Sequence, residues 1–124
     1  MTENLYKTDG TIDHFENRFP GREYEIEFQA PEFTSVCPMT GQPDFGTLTI
    51  TYSPGARCIE LRSFKYYLQT FRNRGIFYED VVNTVLDDIV AAIAPRWAMV
   101  TGEFHTRGGI SARVTATYPD EQTP

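Results

Sequence analysis

The spacing of apolar residues changes twice along this chain, and that change limits the possible folds more than any other feature. Near the N-terminus apolar and polar residues alternate, as Tyr24, Ile26 and Phe28 do with glutamates, and this period of two predicts strands with one buried face. In the middle of the chain apolar residues recur every three or four positions, which is typical of amphipathic helices. The last third predicts strands again. The predicted elements are strands over 23–28 and 47–52, helices over 60–73 and 79–94, and strands over 97–104 and 110–118.

That order, β-β-α-α-β-β, predicts an α+β domain in which a four-stranded antiparallel sheet carries two helices on one face. The chain has 124 residues, which suits one such domain. We assign 1–21 to an N-terminal arm, 22–118 to the domain and 119–124 to a polar tail. Residues 29–45 contain three prolines and are predicted to form a long ordered loop. Because a small sheet has two open edges that commonly pair with another chain, we expect a homo-oligomer.

The charge and the distribution of apolar residues narrow the possible partners. The formal net charge is −6, whereas a protein that binds nucleic-acid phosphates needs a basic surface. We therefore expect no direct contact with nucleic acid. No apolar run approaches the roughly 20 residues of a membrane span. The first ten residues contain no apolar signal segment, so we expect a cytoplasmic protein without membrane contact.

Metal chemistry is not expected in this chain. The only histidines are His14 and His105, and no Cys-x-x-Cys or His-Glu-x-x-His motif is present. The two cysteines, Cys37 and Cys58, are expected to be free thiols in a reducing compartment. We interpret Cys58 as a small core residue. A reversible disulfide that would protect Cys37 is the alternative.

The pair Cys37 and Asp44 is the first candidate for chemistry. A thiolate in a fixed, partly exposed position is a nucleophile, and a carboxyl group in the same segment can act as an acid. The structural alternative is a buried cysteine beside an aspartate that only forms a turn.

Three further stretches hold candidate binding residues. Arg62 and Lys65 share one side of a helix start, where two cations can hold a phosphate, although an ordinary solvated surface explains them too. Glu79 can accept two hydrogen bonds from an N–H/NH₂ edge such as that of guanine, or it can simply stabilise a helix start. Residues 106–109 can wrap a phosphate with an arginine and two glycines, or form a plain hairpin turn.

Taken together, these stretches resemble one family, the QueF nitrile reductases. The segment Phe33-Thr34-Ser35-Val36-Cys37-Pro38-Met39-Thr40-Gly41-Gln42-Pro43-Asp44-Phe45 is similar to the family's nucleophile loop. Its signature follows as Glu60-Leu61-Arg62-Ser63-Phe64-Lys65-Tyr66-Tyr67-Leu68. Further similar stretches lie at 71–73, 77–80 and 107–111. Several separated motifs in the same order are more specific than any one of them.

The resemblance implies the tunnelling fold, in which subunits associate side by side into a barrel-shaped ring, a pentamer or a decamer. It implies NADPH-dependent reduction of the nitrile of 7-cyano-7-deazaguanine to 7-aminomethyl-7-deazaguanine, a step in making queuosine for tRNA. Two NADPH are consumed in each turnover, and no catalytic metal is involved. The expected partner is therefore a small deazapurine.

The resemblance also implies a role for each matching residue. Cys37 adds to the nitrile carbon and forms a covalent thioimide, and Asp44 donates a proton to the nitrile nitrogen. The implied substrate-binding residues are Ile59, Glu60, Leu61, Tyr78 and Glu79. The implied cofactor-binding residues are Arg62, Ser63, Lys65, Arg107 and Gly108. Two positions depart from the family pattern, because Arg62 stands where lysine is usual and Tyr78 stands where histidine is usual.

Two other functions compete with the reductase. The first is that of an amidine-forming relative, which uses the same thioimide but ends with ammonia and RNA. Such relatives lack the signature found at 60–67, and the acidic charge also disfavours an RNA substrate. The second is a non-catalytic module that binds a purine or pterin. The intact pair of Cys37 and Asp44 argues against that alternative.

Overall fold

A computed structural model describes residues 9–120 of the chain. Residues 1–8 of the predicted arm and 121–124 of the predicted tail lie outside this range. The elements in chain order are β1 (His14–Glu16), β2 (Ile26–Val36), β3 (Pro43–Ser53), β4 (Arg57–Ile59), α1 (Leu61–Gln69), α2 (Tyr78–Ile93), β5 (Trp97–Arg107) and β6 (Ile110–Tyr118).

One antiparallel sheet with the strand order β2-β3-β5-β6 shares a single apolar core with α1 and α2. Side chains alternate between the two faces of a strand. Leu48, Ile50 and Tyr52 of β3 are therefore buried on the same face, which is the face that the helices cover. Helix α2 buries Val81, Val82, Val85, Leu86, Ile89 and Ile93. The predicted α+β fold is confirmed, with its two helices on a four-stranded sheet.

The prediction of a long loop over 29–45 is wrong. Strand β2 continues to residue 36 and β3 begins at residue 43, so only 37–42 connect them. The prolines do not break these strands because of where they lie. Pro31 occupies an edge strand at the point where the β2–β3 register shifts, and Pro43 is the first residue of its strand. Both positions tolerate a residue that has no N–H group.

A second, two-stranded ribbon was not predicted. Strand β1, inside the segment assigned to the arm, pairs with β4 in antiparallel orientation. Ile12 and Asn17 on either side of β1 are buried, and the Asn17 side-chain amide donates to the backbone oxygen of Gly55 at 2.7 Å. This part of the chain therefore packs against the domain at the end of the sheet where α1 begins.

Helix α1 is shorter than the predicted 60–73. It ends at Gln69, and the following residues make tighter bonds that span three positions, such as Arg72 N–H to Gln69 oxygen at 3.2 Å. The Thr70 hydroxyl also donates to the Tyr67 backbone oxygen at 2.6 Å. Helix α2 lies within one residue of its predicted bounds, and Ala94 ends it in the left-handed conformation with φ 45°.

The close approach of β3 and β5 near the end of the sheet depends on Gly46. A Cβ atom at this position would lie 2.8 Å from the backbone oxygen of Glu103 and 2.9 Å from the Phe104 ring. We expect Gly46→Ala to lower the free energy of unfolding by about 1–3 kcal/mol, the usual cost of overpacking. Urea denaturation followed by circular dichroism measures the change. Gly21→Ala is the control, because a Cβ atom there meets nothing within 4 Å, and equal stability of the two variants would contradict the prediction.

Candidate active site

Several elements meet at one end of the sheet, where the strands turn, and they enclose a cavity of about 280 Å³. The 37–42 connection, the first turn of α2 and the tip of the β5–β6 hairpin all meet there. The cavity is lined by Cys37, Pro38, Thr40, Asp44, Ile76, Phe77, Tyr78, Glu79 and Arg107. The structure thus brings together five of the residues that the sequence singled out.

Cys37 occupies the start of a tight turn. Its N–H donates to the Gln42 oxygen at 2.8 Å, and its own oxygen accepts from the Gly41 N–H at 2.9 Å. Gly41 has φ 73°, a left-handed conformation that glycine adopts without strain. The Gln42 N–H also donates to the Thr40 hydroxyl oxygen at 3.2 Å. These bonds hold the thiol in a half-buried position at the cavity.

The same turn lowers the pKa of the Cys37 thiol below its usual value. The largest cause is a hydrogen bond from the Thr40 side chain, followed by bonds from the backbone at Met39 and Thr40. Burial and the negative charge of Asp44 act in the opposite direction. Because the thiolate is the nucleophilic form, the turn activates Cys37.

Asp44 is held from two sides of the cavity. Its side chain is only 7% exposed, and its Oδ1 atom accepts a hydrogen bond from the Tyr78 hydroxyl at 3.0 Å. The Arg107 Nε atom lies 3.2 Å from the same Oδ1. The Arg107 guanidinium also donates to the backbone oxygen of Pro43, the residue before Asp44. A buried carboxylate is thus paired with a cation and a phenol.

Tyr78 is placed by packing as well as by hydrogen bonding. Its ring stacks on Phe104 with centroids 3.9 Å apart and an angle of 7°. Burial, the hydrogen bond to Asp44 and the charge of that carboxylate raise the pKa of the Tyr78 phenol, while Arg107 acts against them. The phenol therefore stays protonated at neutral pH and acts as a donor. The structure places this predicted substrate-binding residue against Asp44.

The rim of the cavity is more exposed. Glu79 lies in the first turn of α2 with an exposed side chain, and the preceding Phe77 is 50% exposed. Gly108 and Gly109 form the hairpin tip beside Arg107, both with positive φ, as a two-residue turn requires. Thr40 and Phe77 were not assigned roles from the sequence. A turn hydroxyl and an exposed aromatic residue inside matched motifs are the signals that could have found them.

The remaining predicted residues lie elsewhere in the chain. Ile59 is buried in the β1–β4 ribbon, and Glu60 caps α1 by accepting the N–H bonds of residues 62 and 63 at 2.9 and 2.8 Å. The Ser63 hydroxyl donates to the Glu60 backbone oxygen and accepts from the Asp13 N–H, both at 2.8 Å. These contacts fix how α1 starts. The residues outside the Cys37 cavity are Ile59, Glu60, Leu61, Arg62, Ser63, Lys65 and Gly108.

A second cavity, of about 360 Å³, lies between α1 and the edge strand β2. Leu61 and Lys65 line it, together with Phe64 and Arg72. It therefore combines an apolar wall with two cationic side chains.

Within 9–120, no helix is both long and apolar enough to cross a membrane. The same part of the chain holds no group of three or more His, Cys, Asp or Glu side chains that could bind a metal ion.

Known proteins resemble this chain over most of its length. A protein of Rhodopirellula baltica named NADPH-dependent 7-cyano-7-deazaguanine reductase is 54% identical over 111 residues, which cover 90% of this chain and 92% of that one. The family model described as QueF-like protein matches residues 43–123. The chain belongs to the QueF family. The resemblance drawn from the motifs is therefore confirmed.

Other QueF relatives show a similar degree of identity to this chain. Proteins of Chloroherpeton thalassium and Anaeromyxobacter dehalogenans carry the same name and are 53% and 57% identical over 111 and 107 residues. The aligned residues cover 90% and 86% of this chain, and 96% and 88% of the relatives. A solved structure, the archaeosine synthase QueF-Like in the apo form, has a TM-score of 0.70 and 22% identity, covering 81% of this chain and 96% of that one. This similarity confirms the tunnelling fold of the single chain, and the assembly of subunits into a ring stays a prediction.

The hydrogen bonds of the turn at Cys37 predict how reactive its thiol is. Thr40→Ala removes the largest contribution to the low pKa of the Cys37 thiol, so that pKa should rise and alkylation of Cys37 at neutral pH should slow. We expect a decrease of about twofold to tenfold, the range of one hydrogen bond. Site-specific mass spectrometry after iodoacetamide treatment measures the rate. Thr40→Ser keeps the hydroxyl and should react like the wild type, and an unchanged rate in Thr40→Ala would refute this explanation.

Proposed function

We propose that this QueF chain uses NADPH to reduce the nitrile of 7-cyano-7-deazaguanine to the primary amine of 7-aminomethyl-7-deazaguanine. The observation that carries the proposal is the activated Cys37 thiol in one cavity with the clamped carboxylate of Asp44. The relatives of that name support it, because this chain spans 92% of one and 96% of another. The activity is thus that of an oxidoreductase acting on a carbon–nitrogen triple bond.

The first step is addition of Cys37 to the nitrile. A bond forms between sulfur and the nitrile carbon, and one π bond of the C≡N group breaks. The thiol proton passes to the Asp44 carboxylate and from there to the nitrile nitrogen, so that thiol plus nitrile gives a neutral thioimide. Asp44 is suited to this exchange, because the Tyr78 phenol and the Arg107 guanidinium hold its carboxylate beside Cys37.

The later steps would need two hydrides on carbon, which two NADPH would supply when bound, and two protons on nitrogen, which Asp44 can relay from solvent. Cys37 leaves the carbon as a thiolate, which the hydrogen bonds from residues 39 and 40 stabilise. The cavity between α1 and β2 fits a phosphate-bearing ligand, since Lys65 and Arg72 both line it. Arg62 of the signature belongs to the same helix start. The Ser63 hydroxyl is already engaged within the chain.

The rim residues of the Cys37 cavity can orient the deazaguanine. The exposed Glu79 carboxylate can accept two parallel hydrogen bonds from an N–H/NH₂ edge. The half-exposed Phe77 ring offers a face on which a planar heterocycle can stack. Both residues come from the start of α2, so they approach the ligand from one direction.

A complete site requires more than one copy of the chain. Residues 59–61 lead from the end of β4 into the first turn of α1, whereas Cys37 and Asp44 lie in a separate cavity. If the 59–61 segment binds the deazaguanine, a neighbouring subunit supplies it. The open edges β2 and β6 support side-by-side assembly into a closed ring, which we propose to be a pentamer or a decamer.

The proposed setting follows from the product. An aminomethyl deazaguanine is the precursor expected for queuosine in tRNA, so the chain would act in the cytoplasm on the free base. Its formal charge of −6 supports a small-molecule substrate and not RNA.

NADPH oxidation tests the function. The wild type should oxidise two NADPH for each amine formed, only when the nitrile is present, and Cys37→Ala should lose this activity at least 1000-fold because the covalent route is closed. Absorbance at the nicotinamide band and quantification of the amine give the stoichiometry.

The matched control is Cys58→Ala. Cys58 is buried at 3% exposure and lies outside the cavity, so this variant should keep its activity while losing some stability. Amidine formation with ammonia and no NADPH consumption would instead assign the chain to the amidine-forming reaction. Ligand binding without either product would point to a non-catalytic module.

A further inference from the structure

Ser35 is a fully buried residue beside the reactive pair, and no role is yet attached to it. It has 0% exposure, and within residues 9–120 its hydroxyl has no hydrogen-bond partner. Buried polar groups without partners are rare in folded proteins, so each one needs an explanation.

The β2–β3 register places Ser35 directly opposite Asp44. Both side chains are buried, and directly opposed residues in an antiparallel pair point to the same face of the sheet. The backbone bond from Cys37 N–H to the Gln42 oxygen lies two residues further along each strand. Because ladder bonds repeat every two residues, Ser35 and Asp44 form a hydrogen-bonded pair with Cβ atoms about 4.5–5.5 Å apart.

At that separation a serine hydroxyl can reach the opposite carboxylate by rotation about its Cα–Cβ bond. The two contacts that hold Asp44, from Tyr78 and Arg107, both end at Oδ1. Oδ2 is therefore the oxygen toward which a donor from β2 can point.

We propose that Ser35 is a positioning residue, whose hydroxyl donates to Oδ2 of Asp44 and holds the carboxylate in the orientation that exchanges a proton with Cys37. The catalytic consequence rests on the proposed reductase function, whereas the contact itself rests on the strand register. Tyr78 and Arg107 would then hold one oxygen and Ser35 the other.

The charged and titratable groups around this carboxylate come from three elements besides β2 and β3. Cys37 belongs to the connecting turn, Tyr78 and Glu79 to α2, and Arg107 to β5. The negative charge of Asp44 raises the pKa of the Cys37 thiol. A donor on Oδ2 spreads the carboxylate charge and weakens that effect. The pKa of the Cys37 thiol should therefore depend on whether Ser35 donates to Asp44.

The chain contains a matched control for burial. Ser53, at the other end of β3, is also 0% exposed with a hydroxyl that lacks a partner in the described structure. It lines neither the Cys37 cavity nor the α1–β2 cavity. Ser53→Ala therefore removes the same atom from an equally buried site, away from the chemistry.

The test is the pH dependence of Cys37 alkylation by iodoacetamide, which needs neither nitrile nor NADPH. Ser35→Ala should move the labelling midpoint to higher pH and slow labelling at pH 7 by about twofold to tenfold. Ser53→Ala should label like the wild type. In the Asp44→Asn background, adding Ser35→Ala should change nothing further, because the carboxylate through which it acts is gone.

Turnover gives a second readout. Ser35→Ala should lower kcat by roughly 10- to 100-fold, the worth of one hydrogen bond to a charged group, and leave KM for the nitrile unchanged. Wild-type labelling in Ser35→Ala, or an equally large shift in the Asp44→Asn background, would overturn the proposal. If the wild type does not oxidise NADPH, only the proposed function is contradicted. The labelling series still decides whether Ser35 acts through Asp44.

Discussion

The pairing register of β2 with β3 is the constraint on which the site depends. It sets the 37–42 turn, which holds the Cys37 thiol, and it turns Asp44 inward to 5% exposure. A slip of one residue would move Asp44 to the opposite face of the sheet, away from α2. Pro43 supports this register, because it has no N–H and lies opposite Val36 in a pair that needs no ladder bond.

The other elements at this end of the sheet bring a positive charge and a hydrogen-bond donor to Asp44. Helix α2 starts at Tyr78, which reaches Asp44 because its ring stacks on Phe104 of β5. The β5–β6 hairpin brings Arg107 to the same oxygen from the other side. A phenol replaces the histidine that the family pattern suggests at residue 78. Since its pKa is raised, it serves as a donor that orients Asp44, and Asp44 is the proton carrier in the proposed reaction.

Much of this could be predicted from the sequence, for identifiable reasons. The helical spacing of apolar residues over 79–94 correctly predicted a helix, and the motifs around Cys37 and Glu79 indicated the family. The prolines at 31 and 43 misled the prediction of β2 and β3, because edge and first-strand positions are defined only by tertiary pairing. Contacts between segments that are distant in the sequence could not be predicted either. Neither the Arg107–Asp44 ion pair nor the burial of Ser35 leaves a local signal in the sequence.

The proposed reaction depends on a covalent bond between Cys37 and the nitrile carbon. Intact-protein mass spectrometry after mixing the wild type with 7-cyano-7-deazaguanine, without NADPH, tests it most directly. We expect a mass increase equal to the whole nitrile on the peptide that contains Cys37. The increase should be absent from Cys37→Ala and should disappear when NADPH is added. A wild-type protein that turns over the nitrile yet never carries this mass, or carries it on Cys58, would contradict the account.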